Sequence, residues 1–519
     1  MKIKMKSAAL LAALLLALAG RQLVAVRPAP EGAGRVVRSG SLREPDRIDP
    51  AQVWDDTSSF YVNNIFDTLV RLDPRTLKIE PSLAVSWQAS PDGRTWTFQL
   101  RRGVSFHDGT PFDADAVVFT FFRQMDPANP RRRSEFPLFA EIFTYLKAVR
   151  KTSRYQVQFI LSEPFFPFLA TLTVECAAIV SPTAVKKDGA AFARHPIGTG
   201  PFKLSSWQKD KRLVLTANRE YWRGRPRVDE YIDTIEAQAE VLNKYFKDGQ
   251  LDIIYSYSIS KMISYKKLDW VQIISTPYLS VTYAVINASR PQLNRPGVRQ
   301  ALARAWDPRA LKLVFQDYVL PIHTLLPGVL LGGKPEGQAP GFSLAQAQSL
   351  LNKETGGREI QLEMLLQEDE GLLFQLFSMY ARNLKQIGVK LKLTRLAPDA
   401  YARRIARGEY DLAYSGWIAD YPDPDSMLFP ILSEQLQKQG FANVSGGHPG
   451  LQAQLAAARR EGDAGKRQAI YRGIDRALIA DGLIIPLYQD IRVILFNRKL
   501  GNIRPDPLGK LFLYDLQMK

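Results

Sequence analysis

The most regular pattern of apolar and polar positions lies between residues 359 and 425. Apolar side chains alternate at Ile360, Leu362, Met364 and Leu366, which predicts a strand over 359–366. Leu373, Phe377, Tyr380, Leu384 and Ile387 then fall three and four residues apart, predicting an amphipathic helix over 371–387 that Gly388 closes. Val389, Leu391 and Leu393 alternate again as a second strand. A short helix suits 398–407, with Gly408 to stop it, and 410–415 is a third strand, apolar almost throughout. Strand, helix, strand, helix, strand with short links implies a parallel sheet with right-handed crossovers. In open sheets of this kind ligands bind beyond the carboxyl ends of the strands. The residues placed just past that end are Gly416, Trp417, Ile418, Ala419 and Asp420, followed by Pro422 and Pro424. An aromatic ring and a carboxylate there suit a ligand's ammonium group. An Asp before Tyr-Pro is equally a turn residue that bonds its own backbone, and the local pattern leaves both readings open.

The first half is less regular. It predicts a helix running into a strand over 57–72 and a strand over 95–100, entered by an Asp92-Gly93 turn. Asp113 caps a helix whose apolar side is Val117, Val118, Phe121 and Phe122. Tyr155, Val157, Phe159 and Leu161 alternate as a strand, and 202–207 with 213–217 form a hairpin. Farther on, Ser343 and Gln346 make a capping box for a helix bearing Leu344, Ala347, Leu350 and Leu351. A helix over 468–479 ends before Gly482, and 483–487 is an apolar strand. Mixed strands first and regular βα units later imply two unlike lobes with a cleft between them.

The amino terminus changes the picture. Lys2, Lys4 and Lys6 precede an apolar run over 8–19 that is short for a bilayer span, and Ala17-Leu18-Ala19 offers a small-x-small cleavage pattern. This predicts a signal peptide over 1–19, a flexible lead-in over 20–35, and a periplasmic or extracytoplasmic protein. Leu18-Ala19-Gly20 resembles the start of a lipoprotein box, but Arg21 stands where a cysteine would carry the lipid, so no lipid anchor is expected. The 519 residues are too many for one core. A mean hydropathy of −0.17 excludes a multi-span membrane protein. The net charge of +17 is spread along the chain in short clusters such as Arg131-Arg132-Arg133, with no zinc-finger, RNP or basic-zipper pattern, so no nucleic-acid partner is assigned. The single cysteine, Cys176, sits in an apolar run and reads as a buried, inert thiol. The four histidines are scattered, and no metal, nucleophile-elbow or Walker pattern appears. No catalytic residue, metal or cofactor is assigned. A secreted hydrolase is the remaining enzyme class, with no constellation to support it.

Several ordered segments resemble family 5 extracytoplasmic solute-binding proteins of ABC importers, the dipeptide- and oligopeptide-binding group. They are Ile48-Asp49-Pro50, 64–73 (NIFDTLVRLD), 81–87 (PSLAVSW), 90–100, 101–122 (RRGVSFHDGTPFDADAVVFTFF), Gly198–Trp207 with Asn218–Trp222, 298–307 (VRQALARAWD) and 483–488 (LIIPLY). The resemblance implies an α/β periplasmic-binding-protein type II fold, two lobes around a hinged cleft with an additional small α+β domain. It divides the chain into lobe I (36–75, 196–285 and 492–519), the extra domain (76–195) and lobe II (286–491). It implies a monomeric receptor that captures short peptides and delivers them to membrane permease subunits. The alternative cargo is an amine-bearing small molecule, metal chelate or oligosaccharide. Gly416, Trp417 and Asp420 match a Gly-Trp-x-x-Asp pattern whose aspartate accepts a peptide's α-ammonium, and the backbone of Ser415–Ile418 would pair with an extended ligand. Tyr414 stands where some oligopeptide members carry an arginine, so the carboxylate partner falls to Arg403, Arg404 or Lys385. Trp54 and Asp56 are candidates at the mouth from the opposite lobe.

Overall fold

A computed structural model describes residues 34–53, 55–126, 143, 145–255, 265–331, 339–444, 449–504 and 506–519. The expected signal peptide, most of the lead-in, Trp54 and the Arg131–Arg133 cluster lie outside the described residues. Among the described residues no helix is long and apolar enough to cross a membrane.

A twelve-stranded mixed sheet runs through both lobes. One half holds, in spatial order, Val389–Leu396, Ile360–Gln367, Leu412–Ile418 and Ser280–Ile286. The other half holds Ile253–Tyr255, Val36–Ser41, Glu230–Ile235, Arg212–Ala217 and Phe202–Gln208. Between them lies one fourteen-residue strand, Ile484–Asn497. Its first part pairs with Ser280–Ile286, and its last part pairs with Val271–Pro277 and Ile253–Tyr255. The strand predicted to stop at 487 therefore continues for ten residues. The polar run Gln489, Asp490 and Arg492 breaks its apolar pattern but not its ladder.

The βα units fall where periodicity places them. Ile360–Gln367 pairs in parallel with Val389–Leu396 and with the start of Leu412–Ile418, and the intervening helices are Gly371–Gln386 and Pro398–Ala406. Leu373, Phe377, Tyr380 and Leu384 are buried as the period requires. The third strand ends at Ile418 rather than 415, because residues 412–418 pair antiparallel with Ser280–Ile286 along their whole length. Trp417 therefore belongs to the strand and Asp420 follows its end by two residues.

A separate four-stranded antiparallel sheet, Ala84–Ala89, Thr95–Leu100, Gln156–Leu161 and Leu146–Ser153, forms the small domain with the helix Ala114–Met125. Asp113 caps this helix by accepting from the Asp115 N–H. Val117 and Phe121 enter the core against Phe98, Phe159 and Phe168, whereas Phe122, one step round the helix, is 65% exposed. Cys176 is buried, and burial pushes its thiol pKa well up, as expected of an inert side chain.

Candidate functional site

A cavity of about 460 Å³ opens where the sheet passes from one half to the other. One wall comes from the helix Asp56–Ile65, its cap Asp55, and the carboxyl-terminal loop around Gly509 and Lys510. The facing wall is Ser280–Thr282 with Gly416–Asp420, closed by Phe441. The long strand supplies Asp490 and Arg492 at the seam. This size lies within the usual range for small-molecule sites.

Five of the residues named from sequence line the cavity: Gly416, Trp417, Ile418, Asp420 and Asp56. Trp417 meets Phe441 edge to face at 5.8 Å, and Ile418 and Phe441 are each more than 40% exposed, so this end presents an apolar surface. Ser415 and Tyr414 do not line it. The Ser415 side chain turns toward Tyr283, while Tyr414 packs against Tyr401 and Phe377 with Glu370 nearby. Arg404 is tied to Glu363 at 2.6 Å, and neither it nor Arg403 nor Lys385 reaches the cavity.

Past Ala413 the outer edge of Leu412–Ile418 has no strand partner among the described residues, because Ile360–Gln367 pairs only as far as Leu412 and Ala413. That leaves a row of backbone donors and acceptors at the cavity wall. An extended chain can add there as a further strand.

Asp420 is held by its backbone, whose N–H donates to Ser426 Oγ at 2.8 Å. Its carboxylate Oδ2 is buried and meets no hydrogen-bond partner. Burial, and next the nearby Glu175 charge, push its pKa from 3.8 up to about 7; Trp417 and Lys510 oppose the shift. The Trp417 indole N–H faces the carboxylate without closing a hydrogen bond of normal geometry, and it too is unpaired. A buried carboxylate oxygen that no described residue bonds is costly until a donor reaches it.

The turn-and-cap alternative belongs to the residues just after it. Asp423 caps the helix Pro424–Leu432 and is paired with Arg467 at 2.6 Å. Asp425 is fully buried and takes two bonds from Arg459, at 2.8 and 3.0 Å, plus one from Tyr421. This network fixes the exit from Asp420.

Sequence reasoning missed Glu175, Lys510, Asp55, Asp490 and Arg492. Lys510 Nζ lies 2.9 Å from Glu175 Oε1, which also accepts from Asn63 at 2.7 Å. Both charges are nearly buried. Burial alone would lower the Lys510 pKa, yet Glu175 and Asp506 raise it overall; burial would raise that of Glu175, yet Lys510 and Asn63 bring it down. A usable signal was present: Glu175 is the one charged residue in an otherwise uncharged run over 170–180.

Residues 78–439 match the bacterial extracellular solute-binding proteins, family 5. The chain belongs to that family. This family 5 protein is 28% identical to the dipeptide-binding protein of Escherichia coli, covering 95% of this chain and 96% of that one. It is likewise 28% identical to di/tripeptide-binding protein 1 of Pseudomonas aeruginosa, over 99% of both. Among solved structures it superposes on HbpA2 from Haemophilus parasuis with a TM-score of 0.84 and 26% identity, covering 93% of this chain and all of that one. Family membership makes it an extracytoplasmic receptor of the ABC-importer type and not an enzyme.

Proposed function

We propose that this receptor captures short peptides in the interlobe cavity, with Asp420 receiving the α-ammonium and the open edge of Leu412–Ile418 pairing with the peptide backbone. The observation that carries the reading is the buried Asp420 Oδ2, which meets no hydrogen-bond partner among the described residues, beside that free edge. A main-chain pairing gives affinity with little side-chain selectivity, and a charge-assisted hydrogen bond adds roughly 1.5–3 kcal/mol. The likeness to di- and tripeptide-binding relatives supports the same cargo. Trp417, Ile418 and Phe441 would hold an apolar side chain. Because ligand contacts reach both lobes, binding favours the closed arrangement. We further propose a monomer, cut after residue 19, with lobe boundaries at 76, 196, 286 and 492.

A second reading keeps the transport role with an amine-rich, non-peptide cargo. It rests on the excess of carboxylates in the lining: Asp55, Asp56, Glu175, Asp420 and Asp490 against Lys510 and Arg492.

Native mass spectrometry of the purified protein, with release and sequencing of whatever accompanies it, separates the two. A ladder of short peptides supports the first reading. A single non-peptide mass replaces it with the second. An N-acetylated peptide that binds as tightly as the free one sinks the Asp420 assignment.

A further inference from the structure

Four polar side chains of the cavity wall form a cluster that a simple ammonium clasp does not use. Lys510 Nζ stands 2.9 Å from Glu175 Oε1, and the Asn63 amide donates to the same oxygen at 2.7 Å. Asp420 is the fourth member, and all four line the one cavity. The Asp420 carboxylate feels Glu175 as a like charge and Lys510 as an opposite one. Two carboxylates therefore lie within electrostatic reach of one ammonium. Among the described residues that ammonium bonds Glu175, while Asp420 Oδ2 stays open. The Lys510 and Glu175 side chains are only 12% and 11% exposed, so water screens their charges weakly.

The backbone fixes where the lysine enters. The Lys510 N–H donates to Asp506 Oδ1 at 2.7 Å, and the Asp506 N–H donates back to the Lys510 carbonyl at 3.1 Å. Inside this turn the Gly509 N–H donates to the Asp506 carbonyl at 2.8 Å. Gly509 has φ +77°, and a Cβ there would collide with the Tyr278 ring, so the turn is pressed against the wall. Of the carboxylates that face Lys510, Glu175 acts most strongly, followed by Asp506 and Asp420. Asp506 lines a second, smaller cavity of about 80 Å³, for which Lys510 and Asn63 form part of the partition. A cation is thus already built into the wall beside the open Asp420 oxygen. A ligand bringing one ammonium to Asp420 balances that carboxylate. A ligand bringing two ammonium groups close together sets the second against Lys510, because Glu175 is already taken.

We propose that Lys510 is a specificity determinant of the amine subsite: held on Glu175, it fills the second cation place beside Asp420 and restricts the cargo to peptides with a single ammonium group at that end. The inference rests on the peptide reading above and adds to it a residue that selects by repulsion. The excess of carboxylates in the lining is then no invitation to a polyamine, since one of them is spent on the chain's own lysine.

Norvalyl-leucine and 2,4-diaminobutyryl-leucine test this, because their first side chains have the same shape and differ by a methyl or an ammonium four bonds from the α-amine. Calorimetric titration of ligand-stripped protein at about pH 6.5, where α-amines are protonated, reads both. The unaltered protein is expected to bind the norvalyl peptide at least tenfold more tightly. In Lys510→Met the bare Glu175 carboxylate should reverse that order, and adding Glu175→Gln should abolish the gain of the diamino peptide. Should Lys510→Met alone fail to fold, the uncharged double variant carries the test, with the tenfold preference shrinking to less than threefold. Equal binding of the two peptides to the unaltered protein would overturn the proposal and leave the peptide reading standing. An undiminished norvalyl preference in the Lys510 variants would overturn it too, since a lysine that only props the wall has no say in ligand charge. Failure of both peptides and of Ala-Leu to bind the unaltered protein would overturn the peptide reading and this inference with it.

Discussion

Replacing Asp420 by Asn should make the empty protein more stable and the receptor worse. The carboxylate's pKa rises from 3.8 to about 7, chiefly by burial. Each unit of that gap corresponds to about 1.4 kcal/mol, so holding Asp420 ionised in the empty cleft costs the folded protein on the order of 4 kcal/mol at most. The sign follows from proton counting. Between about pH 4 and pH 7 the folded state binds more protons at this site than the unfolded state does. Its contribution to stability therefore falls as pH rises through that window and is flat above it. Asn carries no charge and escapes the penalty. Asp420→Asn should thus unfold at higher temperature or urea than the unaltered protein at pH 8, with the advantage fading toward pH 4. Its peptide affinity should drop by roughly ten- to a hundredfold, the equivalent of the lost charge-assisted bond. Thermal unfolding of ligand-stripped protein at pH 4.5 and 8, with titration calorimetry at pH 8, reads both effects. Equal stability at pH 8, or an advantage independent of pH, would refute the buried-charge argument. Unchanged affinity would refute the ammonium clasp.

Two further outcomes are expected. Because the clasp needs an ionised carboxylate and a protonated amine, peptide affinity should rise with pH up to about 7 and fall again above about pH 8, where the peptide's own α-amine loses its proton; calorimetry in buffers of different ionisation enthalpy should detect net proton release at pH 6 and net proton uptake at pH 8.5. Arg459→Leu leaves Asp425 buried without its bidentate partner and should destabilise the protein by about 3–5 kcal/mol in chemical denaturation, with Asp425→Asn added on top recovering part of the loss.

The βα units of one lobe were legible because each element carries its own period: the residues that alternate or recur at three and four are those that the sheet and helix cores bury. The end of the third strand was not legible. Residues 416–418 are kept in the ladder by Ser280–Thr282, a partner more than 130 residues away, and no local signal reports it. The extent of the long strand was hidden for the opposite reason. Asp490 and Arg492 look like a break in an apolar strand, yet they are polar because that stretch of strand lines a cavity. The site divides in the same way. Asp420 and Trp417 lie within four residues of each other and carry a shared motif. Glu175, Arg492 and Lys510 come from segments that meet only in the folded chain. Glu175 and Lys510 each betray themselves as a single charge beside apolar residues, which is the form a buried ionic pair takes in sequence.

The strand Ile484–Asn497 also sets the order in which the molecule can fold. It fills the middle of the sheet, between Ser280–Ile286 on one side and Ile253–Tyr255 on the other, yet it lies within the last thirty-six residues of the chain. Until that strand docks, each half of the sheet keeps an unsatisfied edge facing the gap where it belongs, so its insertion joins the two halves in one step that neither half can complete alone.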